Sequence, residues 1–337
     1  MSTYATAGVN IVEGNRAVSL MREAVQSTYT PAVMAGLGSF GGCFDLSKAV
    51  NTLNDAVLVA STDGVGTKTL VAAACNDYSS IGADLVNHCI NDILVQGARP
   101  LFFLDYIAVD VLNAEHVAAV VQSMAGACRA TGCAILGGET AEMPGVYREN
   151  TFDVAGTIVG VAQRDTMLPK AVTVGDAIIA LPSSGLHTNG YSLARRLVDS
   201  IGGYAATPPT LGGLSVGQAL LAPHRCYLSE YTALQQAGIP IHALAHITGG
   251  GVYDNLPRIL PNGCGAHIQR GSWPIPAIFD LLVDVGNIQE HDAFHAFNMG
   301  LGMLIVLPQT AVAAALACIP EAHNVGTVVA GSGVTLV

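Results

Sequence analysis

A chain of 337 residues, 51% hydrophobic and 12% charged, with a formal charge of −11, has room for two domains and no basic surface for nucleic acid or anionic membrane. Frequent glycine (38 residues) beside that apolar content points to extensive burial with many tight turns, and excludes a disordered chain. The apolar runs at 301–307 and 311–319 are shorter than the roughly 20 residues of a spanning helix. Met1-Ser2-Thr3-Tyr4 lacks the basic-then-apolar pattern of a secretory signal. Scattered cysteines with no C-x-x-C spacing are expected to be free thiols in a cytoplasmic, reducing setting, and the excess apolar surface to be an oligomer interface.

In chain order, a glycine-rich loop at 36–42 comes first. Gly36-Leu37-Gly38-Ser39-Phe40-Gly41 matches G-x-G-x-x-G, but no clean strand precedes it, so a dinucleotide-binding reading fails. A loop whose backbone N–H groups converge on an anion fits better, with plain turn chemistry as the bland alternative. A strand at 57–61 then delivers Thr62-Asp63-Gly64-Val65-Gly66-Thr67-Lys68. A carboxylate, two glycines, hydroxyls and one of only three lysines form the inventory for a metal-bound polyphosphate. A helix at 81–96 carries Asp84, His88, Asn91 and Asp92 without any Lys or Arg, which suits oxygen ligands facing a cleft better than a solvated face. A strand at 101–109, a helix at 114–131 and a strand at 134–136 follow. The loop predicted at 137–147 holds Gly138, Glu139, Thr140 and Glu142, acidic oxygens that with Asp63 and Asp92 suit Mg²⁺.

After a strand at 154–162, a polar stretch with Pro169 reads as a linker, giving domains at 1–165 and 174–337. The second half starts with a strand at 177–181. Ser183-Ser184-Gly185-Leu186-His187-Thr188-Asn189-Gly190 then enters a helix at 190–200, a natural anion site. A connector at 202–217, a helix near 223–237, and His246-Ile247-Thr248-Gly249-Gly250-Gly251 opening a short helix come next. A strand at 302–307 and an Ala-rich helix close the pattern. Alternating strands and helices make the class mixed α and β (α/β, or α+β). The residues alone describe an enzyme using a Mg-nucleotide, with anion sites in both halves.

With these motifs in place, the chain resembles the phosphoribosylformylglycinamidine cyclo-ligases, the aminoimidazole ribonucleotide synthetases of purine biosynthesis. The resemblance rests on five ordered blocks: 62–68, Leu101-Phe102-Phe103-Leu104-Asp105-Tyr106, 137–147, 183–193 and 245–251. It implies a two-domain AIR synthase-like fold whose N-terminal domains pair into a dimeric β-barrel, in a homodimer. It implies ATP-dependent ring closure of formylglycinamidine ribonucleotide. Carried over residue by residue, Asp63, Asp92 and Glu139 would hold Mg²⁺, with Asp63, Lys68 and His187 in catalysis. Gly36, Gly38, Ser39, Gly41, Gly64, Gly66, Thr67, Lys68, Asn91, Gly138 and Thr140 would contact ATP. Ser184, His187, Asn189, His246 and Thr248 would contact substrate. Where family members commonly carry basic residues, this chain reads Gln26-Ser27-Thr28-Tyr29-Thr30-Pro31, so nucleotide binding is expected to do without them. The Asp63 motif is shared with a superfamily that includes thiamine-phosphate kinase, which leaves a small-molecule kinase or a non-catalytic nucleotide-binding paralogue as alternatives.

Overall fold

The computed structural model describes residues 10–37, 41–50 and 55–337. They divide into two units: one runs up to Ile93 and resumes over Ala98–Asp165, the other takes Leu94–Gly97 and Thr166–Val337.

The first unit is ordered α1 (Ile11–Gln26), β1 (Val33–Ala35), β2 (Cys43–Phe44), α2 (Leu46–Val50), β3 (Ala56–Gly64), α3 (Lys68–Cys75), α4 (Ile81–Leu94), β4 (Arg99–Val109), α5 (Ala114–Thr131), β5 (Ala134–Glu142) and β6 (Phe152–Gln163). Period-two alternation along β6 decides how its sheet is covered. Val154, Gly156, Ile158 and Gly160 point inward and their neighbours outward. Two of the inward positions are glycine because other groups occupy the space: a Cβ at 156 would lie 2.0 Å from the Phe103 ring, and one at 160 would lie 2.4 Å from Ile93 of α4. The sheet order is β3-β6-β4-β5, antiparallel except for β4 with β5. Its outer face shows Leu58, Leu104 and Tyr106, large apolar groups left 36–56% exposed in the single chain.

The expected loop at 137–147 is a correction. Its first half is the continuation of β5, which stays paired with β4 as far as Glu142. A strand also precedes the glycine stretch after all, but β1 pairs antiparallel with β2 and forms no βαβ unit, so the dinucleotide reading stays excluded.

The second unit runs β7 (Ala177–Pro182), α6 (Tyr191–Ile201), α7 (Val216–Leu220), α8 (Leu228–Gln236), β8 (Ala243–His246), α9 (Gly251–Asn255), β9 (Cys264–Ile268), α10 (Ala277–Gly286), α11 (Glu290–Ala296), β10 (Leu301–Leu307), α12 (Val312–Cys318), β11 (His323–Ala330) and β12 (Val334–Leu336). Its six-stranded sheet has the order β12-β9-β11-β7-β10-β8. The central β7 and β10 are continuous apolar runs because both of their faces are covered. Leu181, Tyr227, Leu244 and Ile305 share one core there with Leu94, and removing a side chain of that size would cost ~2–5 kcal/mol. Among the described residues no helix is long and apolar enough to cross a membrane.

Candidate active site

Asp63 stands near the end of β3, where the chain turns through Gly66 (φ 55°) into α3. One of its carboxylate oxygens accepts the Gly64 N–H at 2.7 Å, and the other lies 2.9 Å from His88 Nε2. Asp92, one turn past His88 on α4, is 3.7 Å from the same nitrogen and accepts the Ser61 hydroxyl at 3.1 Å. Burial opposes a charge on His88. The hydrogen bond to Asp63 and the negative charges of Asp92, Asp63 and Asp84 outweigh it, and the ring is held above the ordinary histidine value. A spot that favours a buried imidazolium favours positive charge in general. Two partly open carboxylates from different elements suit Mg²⁺, which keeps several waters and takes one or two carboxylates.

Of the expected partners of this site, Lys68 and Asn91 are fully buried and Glu139 lies apart within one copy of the chain. Lys68 opens α3 with its side chain turned inward, fully buried, its Nζ 2.9 Å from the equally buried Asp84 Oδ2, which also accepts the Ser80 hydroxyl. Burial lowers the lysine pKa against the pull of Asp84. The expected phosphate cation is therefore spent on an internal ion pair. Asn91, expected to touch the nucleotide, has no exposed surface either. Glu139 does not join Asp63 and Asp92. Sheet register aligns Asp63 with Gly156, Asp105 and Gly138 in one row, and Glu139 with Tyr106 in the next, so Glu139 lies on the opposite face and the opposite edge. Three strand spacings separate the two edges, roughly 14 Å.

Gly138 and Thr140 instead border a cavity of about 330 Å³, whose apolar wall includes Val18 and Met21 of α1 and Leu37. Asp105 lies at its floor, directly over Gly138: a Cβ there would sit 2.3 Å from Asp105 Oδ1. Desolvation by burial pushes the Asp105 carboxyl up to about 7. The folded value exceeds the unfolded one, so the native state keeps a proton that the unfolded chain loses, and stability falls as pH rises from about 4 through 7. Asp105→Asn removes that slope. The variant should exceed wild type by about 2–4 kcal/mol at pH 8 and match it near pH 4. Thermal melts across that range test this, and an equal gap at both ends would refute the perturbed carboxyl.

Gly36 packs under Tyr29, whose hydroxyl accepts the Leu37 N–H at 2.6 Å. Gly41 is open, whereas Gly38 and Ser39 lie outside the described residues.

In the second unit the expected residues do come together. Asn298 fixes the 183–190 loop by accepting the Ser183 hydroxyl at 2.8 Å and donating to the Gly185 carbonyl at 2.9 Å. Asn255 closes the 248–251 turn by donating to the carbonyls of Thr248, Gly249 and Gly251. The two loops meet at Asn189, whose Oδ1 would lie 3.2 Å from a Cβ on Gly249. Beside them His187 and His246 converge with a residue that the motifs do not flag, His224, and nitrogens of the three rings lie within 4.8 Å of one another. All three are buried, and His187 takes φ 61°, an uncommon conformation for a non-glycine residue and one that clusters at functional sites. His224, Asn255 and Asn298 escape sequence reasoning because each acts alone from a separate segment, with no spacing that ties it to the loop it serves.

Comparison with known proteins gives this geometry its family. A family model described as AIR synthase related protein, N-terminal domain, matches residues 46–162, and its C-terminal counterpart matches 173–337. The chain belongs to the AIR synthase-related family. Among its family relatives, a phosphoribosylformylglycinamidine cyclo-ligase from Thermosynechococcus vestitus is 47% identical, over 99% of this chain and 98% of that protein. One from Geobacillus sp. (strain WCH70) is 46% identical, over 98% and 97%. Solved structures with the same AIR synthase-like fold include thiamine-monophosphate kinase from Stenotrophomonas maltophilia (TM-score 0.69, 17% identity, 95% of each chain). They also include HypE from E. coli (TM-score 0.68, 21% identity, 96% and 93%).

Proposed function

We propose that this chain is a cytoplasmic, homodimeric phosphoribosylformylglycinamidine cyclo-ligase. It would use ATP to close the imidazole ring of aminoimidazole ribonucleotide, with release of ADP and phosphate. The observation that carries this reading is the Asp63–His88–Asp92 cluster at a strand-to-helix turn, in a chain of the same length and family as proteins bearing that name. A fold neighbour, a hydrogenase maturation HypE, has been solved in complex with ATP, which supports the nucleotide.

The formyl oxygen of the substrate takes the γ-phosphoryl group and ADP leaves. The amidine nitrogen then attacks the activated carbon, phosphate departs, and a proton is released. Such chemistry needs positioning and charge stabilisation more than covalent help from the protein. Asp63 and Asp92 would hold Mg²⁺, which neutralises phosphate charge. Backbone N–H groups at Gly66 and Thr67 would take phosphate oxygens where α3 begins, while the Gly64 N–H is held by Asp63. Ser184, Asn189 and Thr248 would orient the ribonucleotide by hydrogen bonds, with His187 and His246 beside it.

Gly138, Thr140 and the Asp105 cavity would receive the base. Because Gly138, Glu139 and Thr140 lie on β5, at the sheet edge opposite Asp63 on β3, a nucleotide that touches both sets would lie between two copies of the chain. The exposed apolar face at Leu58, Leu104 and Tyr106 supports such pairing.

A coupled assay of ADP release and imidazole formation tests the reaction: both products should appear together, whereas ADP without ring product would mean a kinase. Co-expression tests the shared site. Asp63→Asn and Glu139→Gln should each be inactive alone, and mixed dimers should recover roughly a quarter of wild-type activity, since half the dimers are mixed and each has one intact site. No recovery would place the whole site within one copy.

A further inference from the structure

We propose that His224 is a positioning residue for His246: it fixes the plane and the tautomer of that imidazole through a nitrogen-to-nitrogen hydrogen bond. The proposal rests on the reading above that His246 contacts the substrate.

His224 Nε2 and His246 Nε2 are 3.0 Å apart, with both rings buried. Such a contact needs one proton between the two nitrogens, so the tautomer of one ring dictates that of the other. Asn189 Nδ2 donates to Thr188 Oγ1 at 3.4 Å, and Thr188 Oγ1 lies 3.4 Å from His224 Nδ1, so the far side of His224 is anchored by a hydroxyl that can serve either tautomer of the ring.

His187 supports this arrangement without being a link in it. Its ring stacks on His224 at 4.0 Å between centroids and 17° between planes. Its Nε2 accepts the Ser184 main-chain N–H at 3.2 Å, which fixes the His187 proton on Nδ1. A transition-metal triad would need a lone pair from every ring, and the Ser184 N–H already occupies the one that His187 offers. The stack is made possible by Gly302 of β10, where a Cβ would lie 1.6 Å from Tyr227 Oη and 3.2 Å from the His187 ring.

Two variants in the full-length enzyme separate positioning from packing. His224→Phe keeps a flat ring against His187 and deletes the hydrogen bond. His224→Gln restores an amide donor near the same point. His224→Phe should lower kcat by about ten- to a hundredfold with substrate KM within about twofold and Tm unchanged, and His224→Gln should regain most of kcat. In ¹⁵N-histidine NMR a single proton shared by the two Nε2 atoms should be present in the wild type and lost in His224→Phe. Wild-type kcat in His224→Phe beside a damaged His246→Gln overturns this proposal alone. Equal losses in both His224 variants with a lowered Tm overturn it in favour of packing. Wild-type kcat in His246→Gln removes the parent reading of His246 as well.

Discussion

Asp63→Asn should lower the rate of ring closure on the order of a thousandfold while the protein stays folded. Asparagine is nearly the same shape: its amide oxygen can still accept the Gly64 N–H, while its amide nitrogen takes the place of the oxygen facing His88, which can meet it with an unprotonated Nε2. The local turn into α3 therefore survives, and Tm should move by no more than about 2 °C, as befits a half-exposed side chain. What disappears is one of two negative oxygen sets near His88. A metal clamp on a transferring phosphoryl group is worth several kcal/mol, and each 1.36 kcal/mol is tenfold in rate. Steady-state ring formation and a thermal melt on the same preparation are sufficient. A variant that folds and turns over at the wild-type rate would end the assignment of Asp63 as a metal ligand.

Lys68→Met should act in the opposite way, through stability. Asp84 would be left buried with its cationic partner removed, and breaking one side of a buried pair costs about 3–5 kcal/mol. The first unit should melt at least ~6 °C lower. Lys68→Met combined with Asp84→Leu should recover most of that loss, since two apolar groups of similar size leave no stranded charge. Had Lys68 faced the triphosphate, the single variant would instead raise the KM for ATP at unchanged Tm. The pair of melts with the ATP titration decides between the roles, and an unshifted Tm with a raised KM would refute the internal pairing.

The contrast between these residues shows what a linear pattern can carry. Asp63, Gly64 and Gly66 were legible because a strand end, a carboxylate and glycines in succession leave little choice about where the turn goes. Lys68 belongs to the same motif, yet its direction depends on Asp84, sixteen positions later, and only packing brings those two together. The separation of Glu139 from Asp63 within one copy is hidden in the sequence for a related reason. Gly137 and Gly138 suggest a loop, but the strand continues through them because β4 supplies the paired backbone, and one step of register then decides the face. The helices at 81–94 and 114–131 were visible from their apolar periodicity, whereas β8, β9 and β12 are too short to show one. The missing basic residues near 26–30 have a partial answer in space. Arg129 of α5 donates to Ser27 Oγ at 2.6 Å, a cation that sequence order placed a hundred positions away.

The passage of Leu94–Gly97 into the second unit also bears on how the gene can be divided. Leu94 is fully buried among Tyr227, Leu244 and Ile305, yet it is encoded some seventy positions before the rest of that core begins. A fragment beginning at Thr166 would thus leave a vacancy in its own interior, and no single cut point yields two self-sufficient halves. The two modules are interleaved at the level of translation, so an exchange of halves between relatives must carry those four residues with the downstream piece.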